Sequence, residues 1–172
     1  YLNGIYLNAE KAAARFVSTD GYRVASVTTG KWPKGSPDVI VPSGLAKVIG
    51  DAGPGSLEWS DRLIRFTAGS VTITGKTIEG TYPDYRRLFA KVAGDVYAID
   101  ATELIDAVRR VRIASDARER KLRLTRRDGA MSIRIEGTSG FEGEDEITAE
   151  CTEGFECGVN ADFLVAMLAA LD

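Results

Sequence analysis

Most of this chain alternates apolar and polar side chains with a period of two, the signature of half-buried strands. Leu63-Ile64-Arg65-Phe66 and Val71-Thr72-Ile73-Thr74 flank Gly69-Ser70, which predicts a hairpin. Leu122-Arg123-Leu124-Thr125 and Met131-Ser132-Ile133-Arg134-Ile135 flank Asp128-Gly129 in the same way. A third pair, Phe16-Val17-Ser18 and Tyr22 to Val27, turns at Asp20-Gly21. Gly30 to Asp38, with Pro33 and Pro37, reads as a surface loop. The chain opens at Tyr1, within a strand pattern and without Met, so a piece of a longer protein is expected.

Three segments switch to helical periodicity. Asp100-Ala101-Thr102-Glu103 is a capping-box-like start, and behind it Ala101, Leu104, Ile105, Val108 and Val111 gather on one face. Arg110 projects from the opposite side, with Arg109 on its flank. A second helix follows Val41-Pro42-Ser43 and carries Leu45, Val48 and Ile49 inward. A third runs from Ala161 to Ala170, with Phe163, Leu164, Met167 and Leu168 apolar and Met167 expected in the core. The elements hint at a repeat. Asp20-Gly21 matches Asp128-Gly129 at an offset of 128 − 20 = 108, and Val41 matches Val159 at 159 − 41 = 118. A loop about ten residues longer in the second copy would reconcile the two offsets. This predicts two copies of one α+β unit with a boundary near Lys91 to Asp95.

At 172 residues the chain holds one ordinary domain or two small ones, and 44% apolar with 27% charged residues suits a soluble protein. No apolar run approaches a membrane span, and no basic-then-apolar leader opens the sequence. The absence of histidine removes Ser-His and Cys-His catalysis and histidine zinc ligands. Cys151 and Cys157 lack zinc-ligand spacing. Two reduced thiols are the favoured reading, with a cross-hairpin disulfide as the alternative. The net charge of -3 hides an asymmetry. From Glu103 to Arg127 nine basic residues face four acidic ones, whereas Glu136 to Glu156 holds eight acidic residues and no basic one. Blocks like these give one face attractive to phosphate and another that repels it, or two solvated faces. Glu142-Gly143-Glu144-Asp145-Glu146 lacks the ligand pattern of a calcium loop and reads as a solvated strand. No phosphate-binding glycine loop or nucleophile motif appears, which leaves a carboxylate-site metal-dependent enzyme as a weak alternative.

Two motifs carry a sharper signal: Thr19-Asp20-Gly21-Tyr22-Arg23-Val24 and, some sixty residues on, Thr81-Tyr82-Pro83-Asp84-Tyr85-Arg86-Arg87. In this order and spacing, with Tyr1-Leu2-Asn3-Gly4, Val39-Ile40-Val41-Pro42 and Lys76-Thr77-Ile78-Glu79-Gly80, the chain resembles the bacterial DNA sliding clamp family, the β subunit of DNA polymerase III. The resemblance covers essentially the whole sequence. It implies an α+β DNA-clamp fold, repeated units of antiparallel sheet with helices on the inner, DNA-facing side. Residues 1–92 would be the later part of the middle domain and 93–172 the first two-thirds of the C-terminal domain. The N-terminal domain and the final strands would be absent.

The family's function implies a non-catalytic processivity factor, a homodimeric ring around duplex DNA that tethers polymerase, clamp loader and repair proteins. It implies no cofactor, no metal and no membrane, and a bacterial cytoplasmic, nucleoid-associated location. The peptide-binding pocket of the family maps onto Leu2, Thr19, Gly21, Tyr22, Arg23, Val24, Pro83, Arg87 and Leu88, with its other wall beyond Asp172. Leu2, Val24, Pro83 and Leu88 would supply an apolar cleft. Gly21 would allow close backbone approach, and Arg23 and Arg87 would orient the peptide. Tyr22 replaces a common histidine, Val24 a leucine and Leu88 a valine, which reshapes the pocket. DNA-facing positions fall on Tyr1, Lys47, Arg109 and Arg110, while Ser43-Gly44 replaces a basic pair. Ile113 and Ala114 fall on the ring-closing interface. A clamp-like protein that docks partners without encircling DNA is the second reading.

Overall fold

The computed structural model describes residues 3–90, 98–114, 120–127, 129–136, 140, 142–150 and 154–171. The chain divides into two compact units, Tyr1–Val92 and Ala93–Asp172. In the first, β1 (Gly4–Glu10), β2 (Ala13–Thr19), β3 (Val24–Lys31) and β4 (Val39–Pro42) form an antiparallel sheet of order β3-β2-β1-β4. The helix α1 (Ser43–Asp51) follows. Then β5 (Ser56–Trp59), β6 (Leu63–Ala68) and β7 (Val71–Lys76) make a second sheet, with the Gly69-Ser70 hairpin at the expected place. The β1–β2 turn is Lys11-Ala12, both with positive φ (49° and 67°). Such a turn matches strand twist but usually selects Gly or Asn, so nothing in the sequence announced it. The β3 strand runs to Lys31, so the loop begins later than Gly30. That loop is anchored by Trp32, edge-on to Trp59 at 5.1 Å, and by Trp59 Nε1, which donates to Pro37 O at 2.9 Å.

The first sheet buries both faces. Leu7, Val39 and Val41 pack with Ile64 of the second sheet and, at the periphery, with Leu45 of α1. Leu45 rests over the bare Gly75, where an added Cβ would lie 2.5 Å from Leu45 Cδ2. Val48, expected inward, is half exposed, because Leu45, Ala46 and Ile49 form the packed stripe. On the other face Ile40, Tyr6 and Val17 stand in one cross-strand row. The segment after β7 crosses them: Ile78 N–H donates to Ile40 O at 2.8 Å, Tyr82 and Tyr85 pack beyond it, and α2 (Arg86–Ala90) follows.

In the second unit α3 (Ala101–Arg112) is capped by Asp100, which accepts from Glu103 N at 2.8 Å. Strands β8 (Lys121–Arg127), β9 (Ala130–Glu136), β10 (Glu142–Thr148) and β11 (Phe155–Asn160) form a sheet of order β10-β9-β8-β11, followed by α4 (Ala161–Leu168). Leu104, Ala107, Val108 and Val111 of α3 pack on Leu122, Met131, Ile133 and Ile135. Each fully buried Leu, Ile or Val contributes about 1.5–3 kcal/mol. A Cβ at Gly143 would meet Val111 O at 2.4 Å, so the absent side chain is what admits the helix. Met167 is half exposed rather than core. The buried stripe of α4 is Ala161, Leu164, Val165 and Leu168, which leaves position 167 outside it.

The repeat is real, but its register differs from the one expected. The strand orders β3-β2-β1-β4 and β10-β9-β8-β11 are the same topology. Gly4 faces Pro42 as Lys121 faces Asn160, giving offsets of 121 − 4 = 117 and 160 − 42 = 118. Asp128-Gly129 therefore corresponds to the Lys11-Ala12 turn, not to Asp20-Gly21, and no ten-residue insertion is needed.

Asn8 and Tyr85 are almost fully buried and bonded to each other, Asn8 Nδ2 donating to Tyr85 Oη at 3.1 Å. Tyr85→Phe strands that amide and should cost about 1–3 kcal/mol in urea denaturation. Adding Asn8→Leu should recover most of the loss, since both partners are then apolar. A double variant no more stable than Tyr85→Phe alone would refute the pairing as the cause.

Candidate partner-docking site

The turn between β2 and β3 is built by its own side chains. Thr19 Oγ1 donates to Arg23 O at 2.7 Å and accepts from Gly21 N at 3.1 Å. Asp20 Oδ1 accepts from the amides of Tyr22 and Arg23 at 3.0 and 2.8 Å, and Oδ2 accepts from Arg23 Nε and Nη2. Gly21 takes φ +90°, which a Cβ would strain. Polar atoms thus close the turn, leaving Tyr22 84% exposed at its tip. The Arg23 amide, then the Tyr22 amide, then the Arg23 side chain hold the Asp20 carboxyl at about 2, below its usual 3.8.

The second motif reaches the same face through its tyrosines. Tyr82 stacks on Tyr6 at 4.7 Å and 8°, and its hydroxyl donates to Val17 O at 3.3 Å, two residues before Thr19. Tyr85 stands edge-on to both rings and carries the Arg86 guanidinium 5.0 Å from its centroid. Val24, across the ladder from Thr19, packs into this cluster. Pro83 and Leu88 stay exposed, Leu88 at 53%, and Arg87 pairs with Asp84 at 2.9 Å.

Of the nine expected pocket residues, Leu2 lies outside the described residues. The other eight fall on two segments tied to one sheet face. Arg23, expected to orient a peptide, uses Nε and Nη2 on Asp20, which holds its guanidinium against the turn. Sequence reasoning missed Asn8, Tyr6, Tyr82 and Tyr85 as the residues that join the motifs. An asparagine in mid-strand and two tyrosines three apart were the available signal.

The basic helix residues are each matched by a carboxylate. Lys47 bonds Asp51 at 2.7 Å and Arg109 lies 3.3 Å from Asp106. Arg110 is not opposite the sheet: its Nε bonds Asp145 of β10 at 2.7 Å, because α3 lies along that edge strand. That bond holds the Asp145 carboxyl below the usual range. Tyr1 lies outside the described residues. Ser43 Oγ donates to Asn3 Oδ1 at 2.6 Å. Ile113, just past α3, is 86% exposed and Ala114 half-buried. Glu142 and Glu144 are engaged by Arg134 and Ser132 on a solvated strand, and among the described residues no group of His, Cys, Asp and Glu is set to hold a metal. Cys157 is exposed on β11, and Cys151 lies outside the described residues.

Two α+β units of one strand order, the first carrying this turn, have the fold of a DNA clamp. A family model for the central domain of the DNA polymerase III beta subunit matches residues 1–84. The beta sliding clamp of Pseudomonas putida is 31% identical over 179 residues, covering 99% of this chain and 49% of the relative. Among solved structures, the DNA polymerase III subunit beta of Pseudomonas aeruginosa superposes with a TM-score of 0.90 at 28% identity, over 98% of this chain and 49% of the other. A sliding clamp from Bartonella birtlesii bound to griselimycin gives 0.87 at 31% identity, over 98% and 49%. Its first 84 residues thus match the central domain of the bacterial DNA polymerase III β subunit family, and nearly the whole chain is similar to beta sliding clamps, of whose length it spans about half.

Because Asp20 is depressed in the fold, its contribution to the turn is fully present above the usual 3.8 and is lost as pH falls through about 2. Carboxyl carbon NMR should follow that titration. In Arg23→Ala the two backbone donors remain, so the midpoint should rise only part of the way towards 3.8. A full return to 3.8 would show that the guanidinium, not the amides, sets it.

Proposed function

We propose that this chain is the later part of the middle domain (1–92) and the first two-thirds of the C-terminal domain (93–172) of a processivity clamp. The whole protein is non-catalytic, closes as a homodimeric ring on duplex DNA, and tethers polymerase, clamp loader and repair proteins carrying a short docking motif. One observation carries the docking role: Tyr82 ties the Pro83 to Leu88 segment to the strand that leads into the Thr19 to Val24 turn, with Tyr22 and Leu88 left open to solvent. A face with rigid backbone and exposed apolar side chains suits a peptide anchored by a few apolar residues. Thr19, Gly21, Tyr22, Arg23, Val24, Pro83, Arg87 and Leu88 form the wall, and Leu2 is proposed as a further contact.

Exposed Ile113 and β10, an edge strand among the described residues, support a ring-closing contact at Ile113 and Ala114, since an open strand edge favours pairing with another chain. Lys47, Arg109 and Arg110, with Tyr1, supply the sequence-independent DNA contacts. The work belongs where the nucleoid is, in the cytoplasm, and among the described residues no helix is long and apolar enough to cross a membrane.

A fluorescent peptide with a leucine-phenylalanine docking motif should bind the full-length protein saturably. Leu88→Glu, which replaces an exposed apolar contact by a charge, should weaken it at least about tenfold, a pocket-sized loss. Unchanged affinity would remove these residues from the site. The ion pairs on Lys47, Arg109 and Arg110 favour the second reading, partner docking without DNA. A ring should be retained on nicked circular DNA and lost when that DNA is cut, and equal retention on both would sink encirclement.

A further inference from the structure

A groove of about 550 Å³ lies in the first unit beside, but apart from, the docking wall. Its more buried lining is Tyr6, Ile40, Ile78 and Tyr82, and its rim carries Asp38, Asp61 and Glu79. The first unit has eight carboxylates among its described residues. Five of them are ion-paired: Glu10 with Arg15, Asp20 with Arg23, Asp51 with Lys47, Glu58 with Arg65 and Asp84 with Arg87. The three with no ion pair to a described cation are the three on this rim. Asp38 is instead held by the Tyr6 hydroxyl, which donates at 2.7 Å and aims the carboxylate at the groove wall. The lining has one cation, Arg62, so the groove stays net negative.

We propose that this groove docks a basic linear peptide segment of a partner protein, with arginine or lysine heads on Asp38, Asp61 and Glu79 and apolar stems against Tyr6, Tyr82 and Ile78. A concave surface with aromatic walls and uncompensated carboxylates is complementary to that chemistry. Guanidinium and ammonium groups gain charge-assisted hydrogen bonds, and their methylene stems cover apolar surface. The two stacked rings, fixed by Val17 O and Asp38, give the occupant a rigid wall that costs nothing to order. Elsewhere in the unit the acids are neutralised locally, so the negative field at this groove has no near competitor within the described residues. The inference goes beyond the docking wall proposed above: it uses different residues and an occupant of opposite chemistry.

The test titrates a fluorescein-labelled heptapeptide alternating arginine with leucine, and its glutamate-for-arginine counterpart, into the full-length protein. The basic peptide should bind, weaken as salt is raised, and lose about tenfold or more in Asp61→Asn/Glu79→Gln, as expected when complementary charges are removed. Both substituted positions are exposed, and an unchanged urea midpoint would exclude misfolding. In methyl-labelled protein the Ile40 and Ile78 resonances should shift on titration, with Ile105 and Ile133 unmoved. Equal affinity for the double variant, equal binding of the glutamate peptide, no binding at all, or methyl shifts confined to other residues would each overturn the proposal. The leucine-phenylalanine peptide, run in parallel, should bind the double variant normally. Competition between the two peptides for one site would also overturn it, whereas failure of the leucine-phenylalanine peptide alone would bear only on the docking wall.

Discussion

The first unit depends on one constraint: its four-stranded sheet has apolar and aromatic side chains on both faces, and the second face needs a cover that is neither sheet nor long helix. Tyr6, Val17 and Ile40 lie in a row across β4, β1 and β2. The chain from Ile78 to Phe89 covers them with few ladder bonds and mostly with rings. Stacked and edge-on pairs of this kind add about 0.5–1.5 kcal/mol each beyond their buried area. Two hydroxyls and one buried amide fix which way the rings face: Tyr82 to Val17 O, Tyr6 to Asp38, and Tyr85 with Asn8. Apolar rings alone would hold the segment on the sheet, but the polar contacts hold it in one register. That register decides where Pro83 and Leu88 emerge, so the cover of the core and the geometry of the proposed docking wall have the same cause.

What the sequence made legible follows from how local the controlling physics is. The Gly69-Ser70 hairpin, the Asp100 cap and the α3 stripe are short-range, and they stand where the pattern puts them. The Lys11-Ala12 turn was invisible because two ordinary residues adopt positive φ there under the demand of the flanking ladder. Missing it misplaced the repeat, since the conspicuous Asp-Gly pairs sit at different turns of the two units. Val48 and Met167 misled for another reason. An apolar residue in a helix is a candidate for burial, but only the facing sheet selects which stripe is used, as Leu45 over Gly75 does for α1. The two motifs were legible as a pair, but not the tyrosines that tie the second to the sheet, because those contacts span 65 to 77 residues of chain and follow no period.

Electrostatics separates the surfaces in a way composition cannot. Exposed ion pairs such as Lys47 with Asp51 or Arg109 with Asp106 are worth about 0–1 kcal/mol each. Pairs this weak open and close cheaply, so they hold their side chains only loosely. Arg110 differs, because its partner Asp145 is on a neighbouring strand and is more shielded, so its release costs more and also loosens the fit of α3 on β10. The pattern of pairing therefore ranks the cations: Lys47 and Arg109 are the more readily released, and Arg110 is first a brace between helix and edge strand. That brace stands three residues before Ile113, so Arg110 also stiffens the end of α3 from which Ile113, the proposed ring-closing residue, projects.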